Sequence, residues 1–132
     1  MINDESSLND ESLNQKVTFD LEERTLDFGK AVVRFSKKIP ESIVTRVLIT
    51  QFTKSGTSVG ANYCEANNGE SKDDFKHKIG ICKKESRETM YWLSLITEAC
   101  PDLRDETKIL WKEAKELTLI FGAIIRTSRK RK

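Results

Sequence analysis

Two pairs of polar residues have a spacing at which helical side chains could share a chemical task. Asn62 and Glu65 are three residues apart, and so are Glu85 and Glu88, which places each pair on one face of a helix. Helical bundles hold di-iron centres with glutamates and Glu-x-x-His motifs. The sequence has one histidine, His77, and no Glu-x-x-His. We therefore expect neither a metal site nor a cofactor.

A structural role for the same four residues is the favoured interpretation. A buried charge must be paired or hydrogen-bonded, because an uncompensated one is costly. We predict a polar network that fixes helix register, with Lys84 or Arg87 as partners. Nucleophilic catalysis would need His77, which stands between Lys76 and Lys78 on a face expected to meet solvent. The sequence thus predicts no catalytic residue, and a protein that is not an enzyme.

Basic side chains form two rows at helical spacing, and a third group lies at the end of the chain. The first row is Lys72, Lys76, Lys83 and Arg87; the second is Arg104, Lys108, Lys112 and Lys115; the tail contributes Arg129, Lys130 and Arg131. Such rows can follow the phosphates of a nucleic acid. Asp105, Glu113 and Glu116 share the second segment, so that row could instead be an ion-paired, solvated face. We therefore predict a nucleic-acid site from the first row and the tail, insensitive to base sequence because no aromatic platform accompanies it.

The charge distribution is uneven along the chain. Residues 1–30 hold three basic and eight acidic residues, a net charge of −5, whereas residues 31–132 hold twenty basic and thirteen acidic residues, a net charge of +7. A basic body suggests anionic partners. The alternative is that lysine and arginine only solvate long helices.

The elements that must position these residues are helices. A chain of 132 residues with two prolines and six glycines is typical of one helical domain. Four segments show a helical stripe of apolar or small residues, mostly in steps of three and four. The stripes are Leu21, Thr25, Phe28, Val32, Phe35 and Ile39; Val44, Leu48, Phe52 and Val59; Phe75, Ile79, Cys82, Ser86, Thr89, Leu93 and Ile96; and Leu103, Thr107, Leu110, Ala114, Leu117, Phe121 and Ile124. Pro40, Gly69 and Pro101 separate the segments. We predict an all-α, up-down-up-down antiparallel four-helix bundle over residues 19–127, between a disordered acidic tail (1–18) and a basic C-terminal tail (128–132).

Two helices carry more apolar surface than one bundle covers. The second helix has a further stripe of Ile43, Val47, Ala61 and Cys64, and its Gly56 and Gly60 predict a close approach by another helix. Trp111, Thr118 and Ile125 are seven residues apart beside the core stripe of the fourth helix. This seam is either a wide edge of the core or an interface between protomers, and we predict the interface.

Localisation and cysteine use give simpler expectations. No segment approaches the roughly 20 apolar residues of a spanning helix, and the first ten residues are polar rather than a signal sequence. We expect a cytoplasmic protein without membrane contact. Cys64, Cys82 and Cys100 lack zinc-site spacing and are expected to be buried free thiols.

Three sequence segments together resemble a known family. They are SVGANYCEA from Ser58 to Ala66, then Phe75, then KKESRETMYWL from Lys83 to Leu93. They are similar to the four-helix-bundle proteins encoded within intervening sequences of bacterial large-subunit ribosomal RNA, over Phe19 to about Arg126. The resemblance implies a ring-like homopentamer. A related branch comprises the accessory variability proteins of diversity-generating retroelements, which bind a reverse transcriptase and nucleic acid through positive surfaces.

Taken together, these features predict a non-catalytic oligomeric adaptor. It would bind nucleic acid, with RNA as one candidate, or a nucleic-acid enzyme such as a reverse transcriptase. The alternative is a structural homo-oligomeric scaffold that binds a protein partner without nucleic acid.

Overall fold

Helices make up almost all of the described chain. The structure, a computed structural model, describes the backbone of residues 10–69 and 71–130 and the side chains of residues 21–69 and 71–128. The helices are α1 (Asp10–Lys38), α2 (Ile43–Asn67), α3 (Lys72–Ala99) and α4 (Arg104–Lys130), with a 3₁₀ turn at Pro101–Leu103. No strand occurs in these ranges. The predicted all-α fold is confirmed.

Consecutive helices run antiparallel, as their cross-helix contacts show. Near the end of α1, Ser36 is hydrogen-bonded to Thr53, in the middle of α2, at 2.6 Å. Near the start of the bundle, Asn67 at the end of α2 donates to Glu22 of α1 at 3.0 Å. The same reversal of order relates α2 to α3 and α3 to α4, through Ser55 with Thr89, Glu65 with Lys78, Met90 with Thr118, and Thr97 with Thr107. The chain therefore forms the predicted up-down-up-down bundle.

The ends of the bundle differ from the predicted boundaries. Helix α1 begins at Asp10 and α4 continues to Lys130, so residues 10–18 and 128–130 of the two predicted tails are helical. Neither stretch contains proline or glycine, and each residue added to an existing helix contributes one more backbone hydrogen bond. The rest of the two tails, residues 1–9 and 131–132, lies outside the described residues.

Serine caps start two of the helices. Ser42 accepts a hydrogen bond from the backbone N–H of Thr45 at 3.0 Å, at the start of α2. Ser71 accepts one from the backbone N–H of Asp74 at 3.1 Å, at the start of α3. Both caps satisfy a backbone donor that the helix itself leaves unpaired. They fix the short turns that set α2 against α1 and α3 against α2.

The predicted stripes form the core. All of their residues are buried except Val44, which is exposed, and Phe75, Leu103 and Ile124, which are half-buried. Polar stripe residues are hydrogen-bonded inside it: Thr89 donates to Ser55 at 2.9 Å, and Ser86 donates to the carbonyl of Cys82. No buried side-chain nitrogen or oxygen lacks a partner within the described part of the chain. Val44 lies at the start of α2, where the bundle ends.

The close approach predicted at the two glycines of α2 is confirmed. A Cβ atom on Gly56 would lie 2.6 Å from Cγ2 of Val32, and one on Gly60 would lie 3.2 Å from the carbonyl oxygen of Thr25. Val32 is fully buried and β-branched, so it has little freedom to move. Glycine is therefore required here by the packing of α1 on α2.

Replacing Gly56 by alanine is expected to lower the free energy of unfolding by about 1–2 kcal/mol, because overpacking against Val32 outweighs the gain in helix propensity. Gly80→Ala is the matched control, since a Cβ atom there meets nothing within 4 Å; it is expected to stabilise by about 0.5–1 kcal/mol. Urea unfolding followed by circular dichroism measures both. Equal stability of the two variants would contradict the close packing of α1 on α2.

Candidate nucleic-acid interface

Cations from two helices line the groove between α3 and α4. We use the name α3–α4 groove for Lys72, Lys76 and Lys83 of α3 and Arg104, Lys108, Trp111, Lys115, Gly122 and Arg126 of α4, together with the adjoining outer face of α3 that carries Gly80, Arg87 and Tyr91. Lys72 and Lys76 border one end of it, beside Ser128. Arg104 and Lys108 border the other end, beside Thr97. Lys72, Lys76 and Lys83 of the first row and Arg104 and Lys108 of the second therefore lie along the side of the bundle where α3 and α4 pack together.

Gly122 brings the two walls of the groove together at its middle. Its missing side chain leaves a space where a Cβ atom would lie 3.5 Å from Nη1 of Arg126 and 3.9 Å from Nζ of Lys83. A guanidinium from α4 and an ammonium from α3 therefore approach the same point. Two cations held this close create a site of high positive potential that favours an anion.

The cations of the groove are not matched by carboxylates. Among the described residues, no carboxylate lies within 4.0 Å of a charged nitrogen of either basic row or of Arg126. Lys76 and Lys83 are half-buried, whereas Lys72 and Arg87 are exposed. Lys115 lies over the ring of Trp111, with Nζ 5.4 Å from the ring centroid. The row cations are therefore available to an anionic partner.

Three of the four acids of α4, Glu106, Glu113 and Glu116, are paired with cations of α1 instead. Arg24 of α1 binds Glu113 at 2.7 Å and Glu116 at 2.6 Å, and Lys38 binds Glu106 at 2.9 Å. The hydrogen bond with Glu113 is the main reason that the pKa of Arg24 is raised. These ion pairs bridge the open edge between α1 and α4. The second basic row is consequently not neutralised by the acids that share its helix.

The predicted C-terminal part of the site lies at the same end of the bundle as Lys72. Residues Arg129 and Lys130 belong to the last turn of α4, directly after Ser128, which borders Lys72 and Lys76. Arg131 lies outside the described residues. The backbone thus places the start of the basic tail beside the first row.

The four residues of the predicted polar network do not form one unit. Lys78 donates to Glu65 at 2.6 Å and links α3 to α2, and Asn62 donates to the carbonyl of Ser58 within its own helix. Glu88 lies 4.0 Å from Lys84, one of the two predicted partners, again within one helix. Only the Glu65 pair therefore joins two helices. A spacing of three residues places each pair on one helical face, but the individual side chains bind different neighbours and do not form a network.

Glu85 is the electrostatically unusual member of that group. Its side chain is half-buried and has no ion pair with the other described residues. Burial raises the pKa of its carboxyl group, and the nearby Glu88 raises it further.

The predicted interface residues fill the edge of the core. Trp111, Thr118 and Ile125 are all half-buried, and Trp111 and Ile125 pack against the buried cluster. Thr118 donates to the carbonyl of Ala114 at 2.7 Å and contacts Sδ of Met90 at 3.9 Å. In one chain they thus form the wide core edge named as the other possibility. Their place in a protomer interface stays a prediction.

The most exposed apolar residues lie elsewhere, chiefly along α1 and α2. A groove of about 550 Å³ between these helices is lined by Leu26, Gly29, Val33, Gly60, Ala61 and Cys64, which we call the α1–α2 groove. Leu26 is 55% exposed and Val33 is 45% exposed. The predicted further stripe of α2 ends in this groove, and its other members, Ile43 and Val47, are also exposed. The seven-residue spacing of Leu26 and Val33, beside the stripe of α1, is the signal that could have revealed the groove.

The described residues contain no cluster of three His, Cys, Asp or Glu side chains that could hold a metal ion, and His77 is exposed on α3. The three cysteines are free, but the prediction that they are buried holds for Cys82 and is wrong for Cys64, which is exposed, and for Cys100, which is half-buried. Burial raises the pKa of the Cys82 thiol to about 12, which keeps it protonated and weakly nucleophilic. None of the described helices is long and apolar enough to cross a membrane.

Comparison with known proteins agrees with this helical framework. The family model of the 23S rRNA-intervening sequence protein matches residues 18–123. The chain belongs to this family. The matched region of this 23S rRNA-intervening sequence protein contains the first basic row and ends before Arg126 and the basic tail.

A solved structure and a search of curated proteins complete the comparison. The crystal structure of a protein of unknown function from the S23 ribosomal protein family of Bacteroides thetaiotaomicron is 29% identical. It aligns with a TM-score of 0.74 over 83% of this chain and 97% of that chain. No curated protein matches the sequence. The two proteins therefore share the same fold over most of their lengths.

Proposed function

We propose that this 23S rRNA-intervening sequence protein is a non-catalytic oligomeric adaptor that binds nucleic acid, with RNA as the first candidate, through the α3–α4 groove. The observation that carries the proposal is that cations of α3 and α4 lie along the side where these helices pack together, with no carboxylate within 4.0 Å among the described residues. Phosphates would replace the missing counter-charges. Counterion release from the nucleic acid would supply most of the affinity.

The dimensions of the groove suit an extended polyanion. Helix α3 has 28 residues, which corresponds to a length of about 42 Å at 1.5 Å per residue. One turn of duplex DNA spans about 34–36 Å. Cations along the whole groove could therefore contact several successive phosphates at once. Contacts of this type position a nucleic acid but do not read its bases.

Self-association is the second part of the proposal. The α1–α2 groove exposes apolar surface whose contact with water is unfavourable, and its lining residues come from α1 and α2. We expect it to receive another protomer in a homo-oligomer, with the pentamer implied by the family resemblance as the expected size. Several α3–α4 grooves in one assembly would raise the avidity for a long nucleic acid without any new type of contact.

A protein partner is the alternative occupant of the exposed surfaces. The resemblance to accessory variability proteins makes a nucleic-acid enzyme such as a reverse transcriptase one candidate. A structural scaffold that binds a protein without nucleic acid is favoured by the exposed apolar residues Ile43, Val44 and Val47 at the start of α2. Such a scaffold would not need an uncompensated basic groove.

The experiment that tests the proposal is reversal of charge at Lys83 and Arg87, with RNA binding and oligomer size measured side by side. Loss of RNA binding from an intact oligomer is expected. Unchanged RNA binding, or no RNA binding by the wild-type protein, would favour the scaffold.

A further inference from the structure

An exposed aromatic ring stands beside the cations of the α3–α4 groove. Tyr91 is 58% exposed and lines a shallow depression together with Lys83, Lys84, Arg87 and Glu88. The sequence-based expectation that no aromatic platform accompanies the basic rows did not take Tyr91 into account. Tyr91 directly precedes Trp92 and Leu93, which pack inward, and so its exposure is invisible in the sequence pattern.

The ring of Tyr91 is held in place by its neighbour. Its centroid lies 5.0 Å from the ring of Trp92, at an interplanar angle of 77°, and Trp92 packs against the core. An edge-to-face contact of this kind restrains the tyrosine side chain. Less conformational entropy is then lost when a ligand covers the exposed ring.

The depression beside the ring is open and positively charged. Gly80 borders it, and a Cβ atom at Gly80 would meet nothing within 4 Å. Among the described residues, Glu88 is the one carboxylate in its lining, and it lies 4.0 Å from Lys84. Three cations against one acid leave the lining net positive. A flat group joined to a negative charge fits this combination of ring, space and cations.

We infer that the α3–α4 groove takes single-stranded nucleic acid, with an unpaired base stacked on Tyr91 and the adjoining phosphates at Lys83 and Arg87. This inference rests on the proposed function and names its substrate class. In a duplex each base is covered on both faces by its neighbours, so a lone surface aromatic gains nothing from paired strands. Unpaired bases stack on aromatic side chains without regard to sequence.

The test compares Tyr91→Ala with Tyr91→Phe on two labelled RNAs. One probe is an unstructured polyuridine of about 15 nucleotides, within the range of site sizes known for single strands, and the other is a duplex RNA of the same length. Fluorescence anisotropy gives both dissociation constants. The wild-type protein is expected to bind the single strand more tightly. Tyr91→Ala should weaken single-strand binding about tenfold and leave duplex binding unchanged, whereas Tyr91→Phe keeps the ring and should match the wild type on both probes.

Each other outcome has a defined meaning. If Tyr91→Ala leaves single-strand binding unchanged, or if the wild type prefers the duplex, this inference fails while the adaptor proposal stands. If neither RNA binds the wild-type protein, the adaptor proposal itself fails. Loss of the oligomer in Tyr91→Ala, measured by light scattering, would assign Tyr91 to a protein contact and overturn the inference. Thermal unfolding followed by circular dichroism verifies that both variants are folded.

Discussion

Replacing both Lys83 and Arg87 by glutamate is expected to weaken RNA binding about 100-fold or more at ~0.1 M salt. Lys83 reaches the space above Gly122 that Arg126 also approaches, and neither Lys83 nor Arg87 has a carboxylate within 4.0 Å among the described residues. The change removes two phosphate contacts and sets two carboxylates against the phosphates. The slope of the logarithm of the binding constant against the logarithm of the salt concentration should become shallower by about two, one for each lost phosphate contact.

The matched control for this change is the pair Lys37→Glu and Lys54→Glu. Both lysines are exposed, belong to α1 and α2, and have no carboxylate within 4.0 Å among the residues with described side chains. The net charge changes equally in the two variants, so a general loss of positive charge affects both. Anisotropy titrations with one labelled structured RNA should show the large loss only for Lys83 and Arg87. Equal losses would mean that the groove is not the binding site.

Leu26→Glu combined with Val33→Glu is expected to convert the oligomer into a folded monomer. In the isolated chain both side chains are largely exposed, so the substitutions should change the stability of the bundle by only about 0.5 kcal/mol. In an interface that covers the α1–α2 groove, two unpaired carboxylates would be buried at a cost of several kcal/mol each. Light scattering should therefore report the monomer mass, and circular dichroism should report an unchanged helical melt.

A more exposed apolar pair on α4 serves as the control. Ile109 is 69% exposed and Leu119 is 62% exposed, and their replacement by glutamate is expected to leave the oligomer intact. If the α4 control dissociates while the Leu26 and Val33 variant remains an oligomer, the interface lies on α4 instead. Dissociation by Trp111→Ala or Ile125→Ala without loss of the fold would support the seam predicted from heptad spacing.

The fold was predictable because burial follows helical periodicity closely. Six stripe residues from Leu21 to Ile39 are all buried, and the two prolines and the turn near Gly69 separate the helices where expected. The outer boundaries were less predictable, because residues 10–18 carry no apolar period that distinguishes a helix from a tail. A helix can extend through these residues because they contain no helix-breaking proline or glycine and adjoin a helix that has already formed.

The candidate site was predictable residue by residue but not as a surface. Spacing placed Lys83 and Arg87 on one face of α3, yet only the packing of α3 on α4 brings Arg126 beside Lys83. Spacing likewise could not show that Glu113 turns away to Arg24. The rotation of each helix about its own axis decides these contacts, and it depends on small residues such as Gly122 whose role appears only in the assembled bundle.

Exposure was the property that the sequence described least well. Tyr91 and Leu26 are apolar or aromatic and adjoin core stripes, so composition alone assigns them to the interior. Both are more than half exposed, because each lies beyond the edge of the face that its helix buries. The two surfaces on which the proposals depend, the α3–α4 groove and the α1–α2 groove, therefore required the three-dimensional arrangement.

Light scattering of the wild-type protein, with and without a labelled structured RNA across a salt series, measures self-association and RNA binding together. We expect an oligomer at every salt concentration, and an RNA complex that forms at low salt and dissociates steeply as salt rises, through loss of the counterion-release contribution. An oligomer that binds no RNA even at low salt would contradict the adaptor function and leave the protein scaffold. A monomer that binds no RNA would contradict both.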